Sequence, residues 1–288
     1  MRAWLDRNFT LFAVAPTVTL MLIVFGIPML FSLFLSTQGW NIQEGLFAGR
    51  FVGADNFADL LDDDHFVRSA ALTIGYTVAT VIVEMLLGLC IALLLNMDLK
   101  FISFFRTILV VPMMMTPIVA ALCWKLLLDP NGGVINHLIG KQIIWLGDPA
   151  TALFAVGFVN VWQNSPYVAI LLLAGLRSLP HEPLEAALID GASRWQSFRH
   201  ITLPLLQPYI LVAMLLRTIF EFRSFDNVYV MTSGGPADST MLLSIFTYIV
   251  SFVQFDLGLG AAASWIMLAM VLLACVALIL ILRQRGLR

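Results

Sequence analysis

The chain has 288 residues, of which 60% are hydrophobic and only 12% charged, with a mean hydropathy of +0.92. A soluble domain is about half apolar and about a quarter charged, so this composition argues against a soluble globular enzyme and against a disordered chain. Its 16 basic and 18 acidic residues nearly cancel, which gives no electrostatic reason to expect nucleic acid as a partner.

A membrane-spanning helix takes about 20 apolar residues. Six such stretches follow one another, which predicts an all-α membrane protein with six transmembrane helices. The first, 11–35, lies in the charge-free interval between Arg7 and Glu44. Its apolar core is longer than the about 7–15 residues of a signal-peptide core, so an uncleaved span is expected. The second, 69–95, carries one charge, Glu84. The third, 107–128, is interrupted by Pro112, Pro117 and Lys125. The fourth lies between Asp148 and Arg177 with no charge inside, and the sixth, 257–282, is also uncharged. The fifth, 208–230, is unusual in holding Arg217, Glu221, Arg223 and Asp226. Cys90, Cys123 and Cys275 all sit in apolar runs without metal-ligand spacing, and they are expected to be buried thiols.

The segment 241–255 is apolar but only 15 residues long. Counting it as a span would put the C-terminal arginines outside. With six spans, the N-terminus, the 96–106 loop, the 177–206 loop and the C-terminus face the cytoplasm. They carry ten basic residues: Arg2, Arg7, Lys100, Arg106, Arg177, Arg194, Arg199, Arg283, Arg285 and Arg288. The outside segments carry four: Arg50, Arg68, Lys125 and Lys141. The excess of positive charge on one side therefore places both termini in the cytoplasm and makes 241–255 an interfacial or half-membrane helix facing outward. The outside loop 37–68 is acidic, with Glu44, Asp55, Asp59, Asp62, Asp63 and Asp64. Charge alone does not distinguish a solvated loop from a docking surface for an external partner.

The cytoplasmic loop 177–206 is longer and better punctuated than a connection requires. Pro183 suits the first turn of a helix, Glu185 lies favourably near its N-terminus, and Gly191 supplies a C-cap. Leu184, Ala187 and Leu188 would share one face, and a second short helix would run toward Pro204.

Glu185-Ala186-Ala187, then Asp190-Gly191-Ala192, then Phe198, Ile201, Leu203 and Pro204 resemble the EAA loop of ABC importer permeases. The glycine falls three residues after Leu188, and the distal element reads Ile-x-Leu-Pro. Pro166, Leu173-Ala174-Gly175-Leu176, Leu179-Pro180 and the stretch from Phe225-Asp226-Asn227 to Gly234-Gly235-Pro236 resemble the sugar-importer branch. The resemblance runs from about Val52 to the end. It is to the first-permease type of the maltose and glycerol-phosphate systems, without the extra N-terminal spans and large outside domain of the maltose protein. It implies type I importer permease architecture, with residues 1–288 a single transmembrane domain and 177–206 its coupling loop. It further implies a second homologous permease, a dimer of ATPase subunits gripping the EAA loops, and an external solute-binding protein that delivers a sugar. In this reading Glu185, Ala186, Ala187, Asp190, Gly191, Leu203 and Pro204 couple to the ATPase, at a bacterial inner membrane.

The residues themselves agree with that division of labour. No Gly-x-x-x-x-Gly-Lys-Ser/Thr phosphate loop occurs, and Gly140-Lys141 lacks the upstream glycine. The chain is therefore expected to bind no cofactor, with ATP and Mg on the partner. His65, His137, His181 and His200 are scattered and form no metal pattern.

Ionisable groups inside a membrane are costly and face a cavity or a partner. Arg217 and Glu221 are spaced i, i+4 and Arg223 and Asp226 i, i+3, so each pair would meet on one helical face. They either neutralise one another or wall a gate. In the fourth span Asn160, Gln163, Asn164 and Tyr167 share one face, beside Trp162. Amides bond hydroxyls and aromatic rings stack on pyranoses, so this set with Glu221, Arg223 and Asp226 is the candidate substrate pathway. Interhelical packing is the alternative. Pro166 would open the helix and free a backbone carbonyl. Thr73, Thr77, Thr80 and Glu84 stripe the second span and are expected to be structural. The rival function is a secondary transporter driven by protons or ions on Glu84, Glu221 or Asp226. Such folds usually carry internal repeats, and none is visible here.

Overall fold

The computed structural model describes residues 14–42, 45, 49–97, 100 and 102–286, with the backbone alone for 282–286. The start of the first predicted span, Arg2, Arg7, Glu44 and the side chains of Arg283, Arg285 and Arg288 lie outside the described set. Packing divides the chain into two units. One holds the segment up to Val67 with Thr247–Ile266, and the other holds Arg68–Phe246 with the segment from Met267.

In the first unit, α1 (Val14–Ser36) is apolar throughout, and none of its most apolar window is covered by the chain itself. A two-stranded antiparallel hairpin follows, β1 (Gln38–Gly39) and β2 (Arg50–Phe51), with Gln38 opposite Phe51. Then comes the short helix α2 (Asp55–Asp62), which turns Asn56 and Leu60 inward. The Asn56 side-chain amide donates to the carbonyls of Ser36 and Gln38, both at 2.9 Å, and so ties α2 to the end of α1. Gly258 lies so close to this turn that a Cβ there would sit 1.9 Å from the Gln38 carbonyl oxygen.

The second unit is built on α3 (Asp64–Leu95), α7 (Pro149–Ser178) and α9 (Arg194–Phe222). Leucines and alanines of all three form one apolar cluster, with Ala92, Leu172, Leu206 and Ala213 fully covered. Two glycines permit the close approach. A Cβ on Gly88 would meet Val168 Cγ1 at 2.5 Å, and one on Gly175 would meet Tyr209 Cγ at 2.6 Å. Small residues at such crossings are how helices associate in lipid, where exclusion of water cannot drive them together. The Ser178 hydroxyl donates to Tyr209 Oη at 2.6 Å and closes the same seam.

The third predicted span is corrected. It is two helices, α4 (Ile102–Met114) and α5 (Pro117–Leu127), bent 97° from one another. The cause is local: a residue before proline is pushed out of the helical region, and Thr116 has φ −64° and ψ 143°. Among the described residues five helices are long and apolar enough to cross a membrane, and six if the bent pair counts as one span. A tight turn follows α5, where the backbone N–H groups of Gly132 and Asn131 hold the Asp129 carboxyl below the usual carboxylate range. The short α6 (Val134–Ile139) then leads to α7.

The fifth predicted span is corrected as well. Its helix α9 stops at Phe222, and α10 (Asp226–Thr232) is a separate element after a break. Arg223 and Asp226 are therefore exposed on either side of that break and form no ion pair with each other among the described residues. The second short helix expected before Pro204 starts at Arg194 but does not end there. Arg194–Phe222 is one continuous helix, whose Phe198–Thr202 turn is widened to π geometry just ahead of Pro204. The segment 241–255 forms α11 (Leu243–Val253), about 16 Å long and too short to cross, and α12 (Leu257–Gly286) ends the described chain. Cys90 and Cys123 are exposed and Cys275 only half-covered, against the expectation of buried thiols. In a bilayer, an apolar neighbourhood in sequence does not mean the inside of the protein.

Glycine at 175 generates a direct expectation. Gly175→Ala should lower the stability of the purified protein by about 1–3 kcal/mol through overpacking against Tyr209. Gly75→Ala, where a Cβ meets nothing within 4 Å, should be neutral or raise it by up to about 1 kcal/mol through helix propensity. Thermal melting in detergent compares the two.

Candidate functional site

The polar residues of the long helices converge at one place. α3 brings Glu84 and Thr80, α7 brings Asn160 and Asn164, and α9 brings Arg217 and Glu221. Glu84, Arg217 and Glu221 are 0%, 4% and 2% exposed. Arg217 is the centre. Its Nε donates to Glu84 Oε2 at 2.7 Å and its Nη2 to Glu84 Oε1 at 2.9 Å, a bidentate fork. Nη2 also donates to Glu221 Oε1 within α9, and Nη1 to Asn164 Oδ1 at 3.2 Å.

The amides complete a ring. A guanidinium only donates, so Asn164 must turn its oxygen toward Arg217. Its Nδ2 then donates to Asn160 Oδ1 at 2.8 Å, which leaves the Asn160 Nδ2 to donate to Glu221 Oε2. Thr80 Oγ1 lies 3.4 Å from that same oxygen. Each charged and amide side chain of the ring thus has a partner within the protein, as burial of such groups requires.

The other candidates go elsewhere. Gln163 does not join the ring: it donates to the Met115 carbonyl at 3.0 Å and accepts from Asn227 Nδ2 at 3.0 Å. It thereby ties α7 to the α4–α5 bend and to α10. Trp162 projects from another side of α7, packing edge-on against Trp124 with ring centroids 5.3 Å apart. It lines a groove of about 800 Å³ with Tyr76, Thr80, Phe154, Gly157 and Phe158. Tyr167 is half-buried without a hydrogen bond to a described residue. Helix α7 is continuous through Pro166. Of the α3 stripe, Thr73 is structural: it accepts from the Leu243 N–H at 2.8 Å and so begins α11. Thr80 and Glu84 belong to the charged ring, which sequence reasoning missed. The available signal was that Glu84 is the sole charge in its span.

The 177–206 loop forms as read, except that its second helix runs on into α9 and Leu188 is left exposed. Helix α8 (Glu182–Ile189) begins with Pro183 in its first turn. Gly191 has φ +75°, which a side chain would oppose. The Ala192 N–H bonds back to Ala187 O at 2.9 Å and the Gly191 N–H to Leu188 O at 3.2 Å, which is a Schellman C-cap. Ser193 and Gln196 then form a capping box that starts α9. Ala187 is buried and Leu184 half-buried, but Leu188, on the same face at the end of the helix, is left uncovered. It is 67% exposed, as are Ile189 at 87% and Trp195 at 66%. Glu185, Ala186 and Asp190 are exposed beside them, Leu203 is half-buried and Pro204 exposed. The described residues contain no group of three or more His, Cys, Asp or Glu placed to hold a metal.

Residues 2–285 match the family described as binding-protein-dependent transport system inner membrane component. The trehalose/maltose transport system permease protein MalF of Thermococcus litoralis is 38% identical over 226 residues, covering 77% of this chain and 76% of MalF. The trehalose transport system permease protein SugA of Mycobacterium tuberculosis is 34% identical over 274 residues, covering 95% of this chain and 87% of SugA. A chain of the bacterial alginate ABC transporter, solved in complex with alginate pentasaccharide-bound periplasmic protein, has a TM-score of 0.82 at 22% identity and covers 96% of both chains. That likeness shows a shared fold, that of ABC importer permeases.

The ring sets a stability expectation. Arg217→Met leaves two buried carboxylates facing each other and should cost about 3–5 kcal/mol, seen as loss of folded yield and a lower melting temperature. Replacing Glu84, Arg217 and Glu221 together by methionine should recover much of that loss, because no buried charge is then left unpaired.

Proposed function

This chain belongs to the family of inner-membrane components of binding-protein-dependent transport systems, and on that premise we propose that it forms half the pore of an importer for a sugar or sugar derivative. It is a multi-pass permease subunit and not itself an enzyme. The observation that carries the reading is the capped 177–206 loop, in which the apolar Leu188, Ile189 and Trp195 are exposed among polar residues. A surface patch of that kind marks an interaction site. An ATPase dimer carrying ATP and Mg is the partner proposed for it, with Glu185, Ala186, Ala187, Asp190 and Gly191 at the contact. Leu203 and Pro204 open the straight run of α9 behind it. A second permease completes the pore, and an external binding protein delivers substrate. Both termini lie in the cytoplasm, which the distribution of basic residues supports.

The sugar class rests on the relatives named for trehalose and maltose transport. For the pathway, the half-exposed Asn164, Tyr167 and Trp162 offer an amide and rings to a passing sugar. Asn160 and Glu221 stand behind Asn164 and set its orientation. Gln163 holds the adjoining bend, while Arg223 and Asp226 flank the break after α9. A proton-driven transporter has no comparable support: Glu84 and Glu221 are both engaged by Arg217, and Asp226 lies outside the long helix.

Two measurements check this. Glu185→Lys and Gly191→Val should each reduce co-purification of the ATPase by at least about tenfold, equivalent to roughly 1.4 kcal/mol. Undiminished association in both would refute the assigned coupling role. Asn164→Ala should weaken the dependence of uptake on sugar concentration by up to about tenfold while the complex still assembles, the loss of one hydrogen bond of about 0.5–1.5 kcal/mol. An unchanged concentration dependence would remove Asn164 from the pathway.

A further inference from the structure

Helix α9 is a single element of 29 residues, about 43 Å long, that starts in the cytoplasmic loop and ends among the buried charges. It runs through the π turn at Phe198–Thr202 and past Pro204 and Pro208 without a break in the helix, so a displacement at the loop can be carried to Arg217. On the way it crosses α7 at Gly175, where the backbone nearly touches Tyr209. Tyr209 and Arg217 are about 12 Å apart along the helix. The seam is mostly apolar, with the Ser178–Tyr209 hydroxyl bond at its end. The fork to Glu84 is directional and tolerates little, because hydrogen bonds weaken steeply as they misalign.

We infer that the Glu84–Arg217 fork is a latch between the second and fifth spans, closed in the unliganded permease and released when the coupling loop moves α9. Three features give it two stable positions. Arg217 is shared between Glu84 on α3 and Glu221 on its own helix. When α9 moves, the Glu221 pair moves with it, so the guanidinium is never orphaned. Glu84 alone loses its partner, and its neighbours Val83 and Leu87 line the groove of about 800 Å³ that runs beside it between α3 and α7. Water entering a widened groove solvates the freed carboxylate. Release is thus costly while the site is dry and cheap once the pathway opens, which makes the latch all-or-none. The α7 amides follow the same logic, since the orientation of Asn164 depends on the position of Arg217.

This inference rests on the proposed ATPase coupling, and its test separates the two. The assembled importer, reconstituted in liposomes, is given Mg–ATP alone, without sugar or binding protein. Glu84→Gln removes the catch. Arg217→Lys keeps the charge but cannot hold both carboxylates, because an ammonium lacks the fork. Each should raise basal ATP hydrolysis per assembled complex about five- to tenfold, and the double variant should rise no further. Leu138→Ala, at an exposed position of α6 away from the fork, should hydrolyse at the wild-type rate. Wild-type rates in both latch variants, or an equal rise in Leu138→Ala, would overturn the latch. Should neither latch variant assemble, spin labels at the exposed Val78 of α3 and Val212 of α9 decide in the otherwise unaltered chain. A distance that differs between nucleotide-free and vanadate-trapped complexes supports the latch, and an identical one overturns it. An unaltered complex that hydrolyses no ATP overturns the coupling reading, and the latch with it.

Discussion

Arg217 satisfies two buried carboxylates and one amide, and the arrangement of α3, α7 and α9 follows from that demand. A charge in a bilayer that lacks a partner costs several kcal/mol. Each helix therefore has to present its polar residue at the same depth and facing the same line. This fixes the register of α3, α7 and α9 more tightly than apolar packing alone, which permits sliding by a fraction of a turn. The glycine contacts at Gly88 and Gly175 bring the backbones close enough for the side chains to meet.

The same economy explains the loop. A coupling surface has to be stiff, or motion at one end dissipates before it reaches the other. Here stiffness comes from caps. The Schellman turn at Gly191 ends α8, and the capping box at Ser193 starts α9 two residues later. The connection between the helices is thus only a few residues long, with its hydrogen bonds made internally. The π turn at Phe198–Thr202 absorbs the approach of Pro204 without breaking the rod. The apolar residues left outside, Leu188, Ile189 and Trp195, are the part of this assembly that the chain itself does not cover.

Where reading the residues in order failed, it failed at helix ends and at faces. Arg223 and Asp226 have the spacing of a helical pair, but spacing has meaning only within one helix, and α9 stops at Phe222 without a glycine or proline to announce it. Pro117 announced a break, yet the 97° angle depends on α5 packing against α10, including the Lys125 bond to the Val230 carbonyl at 3.1 Å. Leu188 was placed with Ala187 by periodicity. A short helix with Ile189 and Leu188 adjacent carries more apolar surface than one face can bury. The cysteines show the limit of composition, because lipid and protein interior demand the same residue types.

The sequence by itself determined the environment, the number of apolar runs, the 177–206 loop and its caps. These depend on interactions within a few residues: periodicity, the stiffness of proline, the freedom of glycine, and the intolerance of hydrocarbon for charge. Only the tertiary structure decided which charges meet. Glu84 and Arg217 stand 133 residues apart, and the lone charge of Glu84 in its span says that a partner is needed without saying which. The pairing exists because two helices cross at one depth, and that crossing is set by the sum of many small apolar contacts distributed along both.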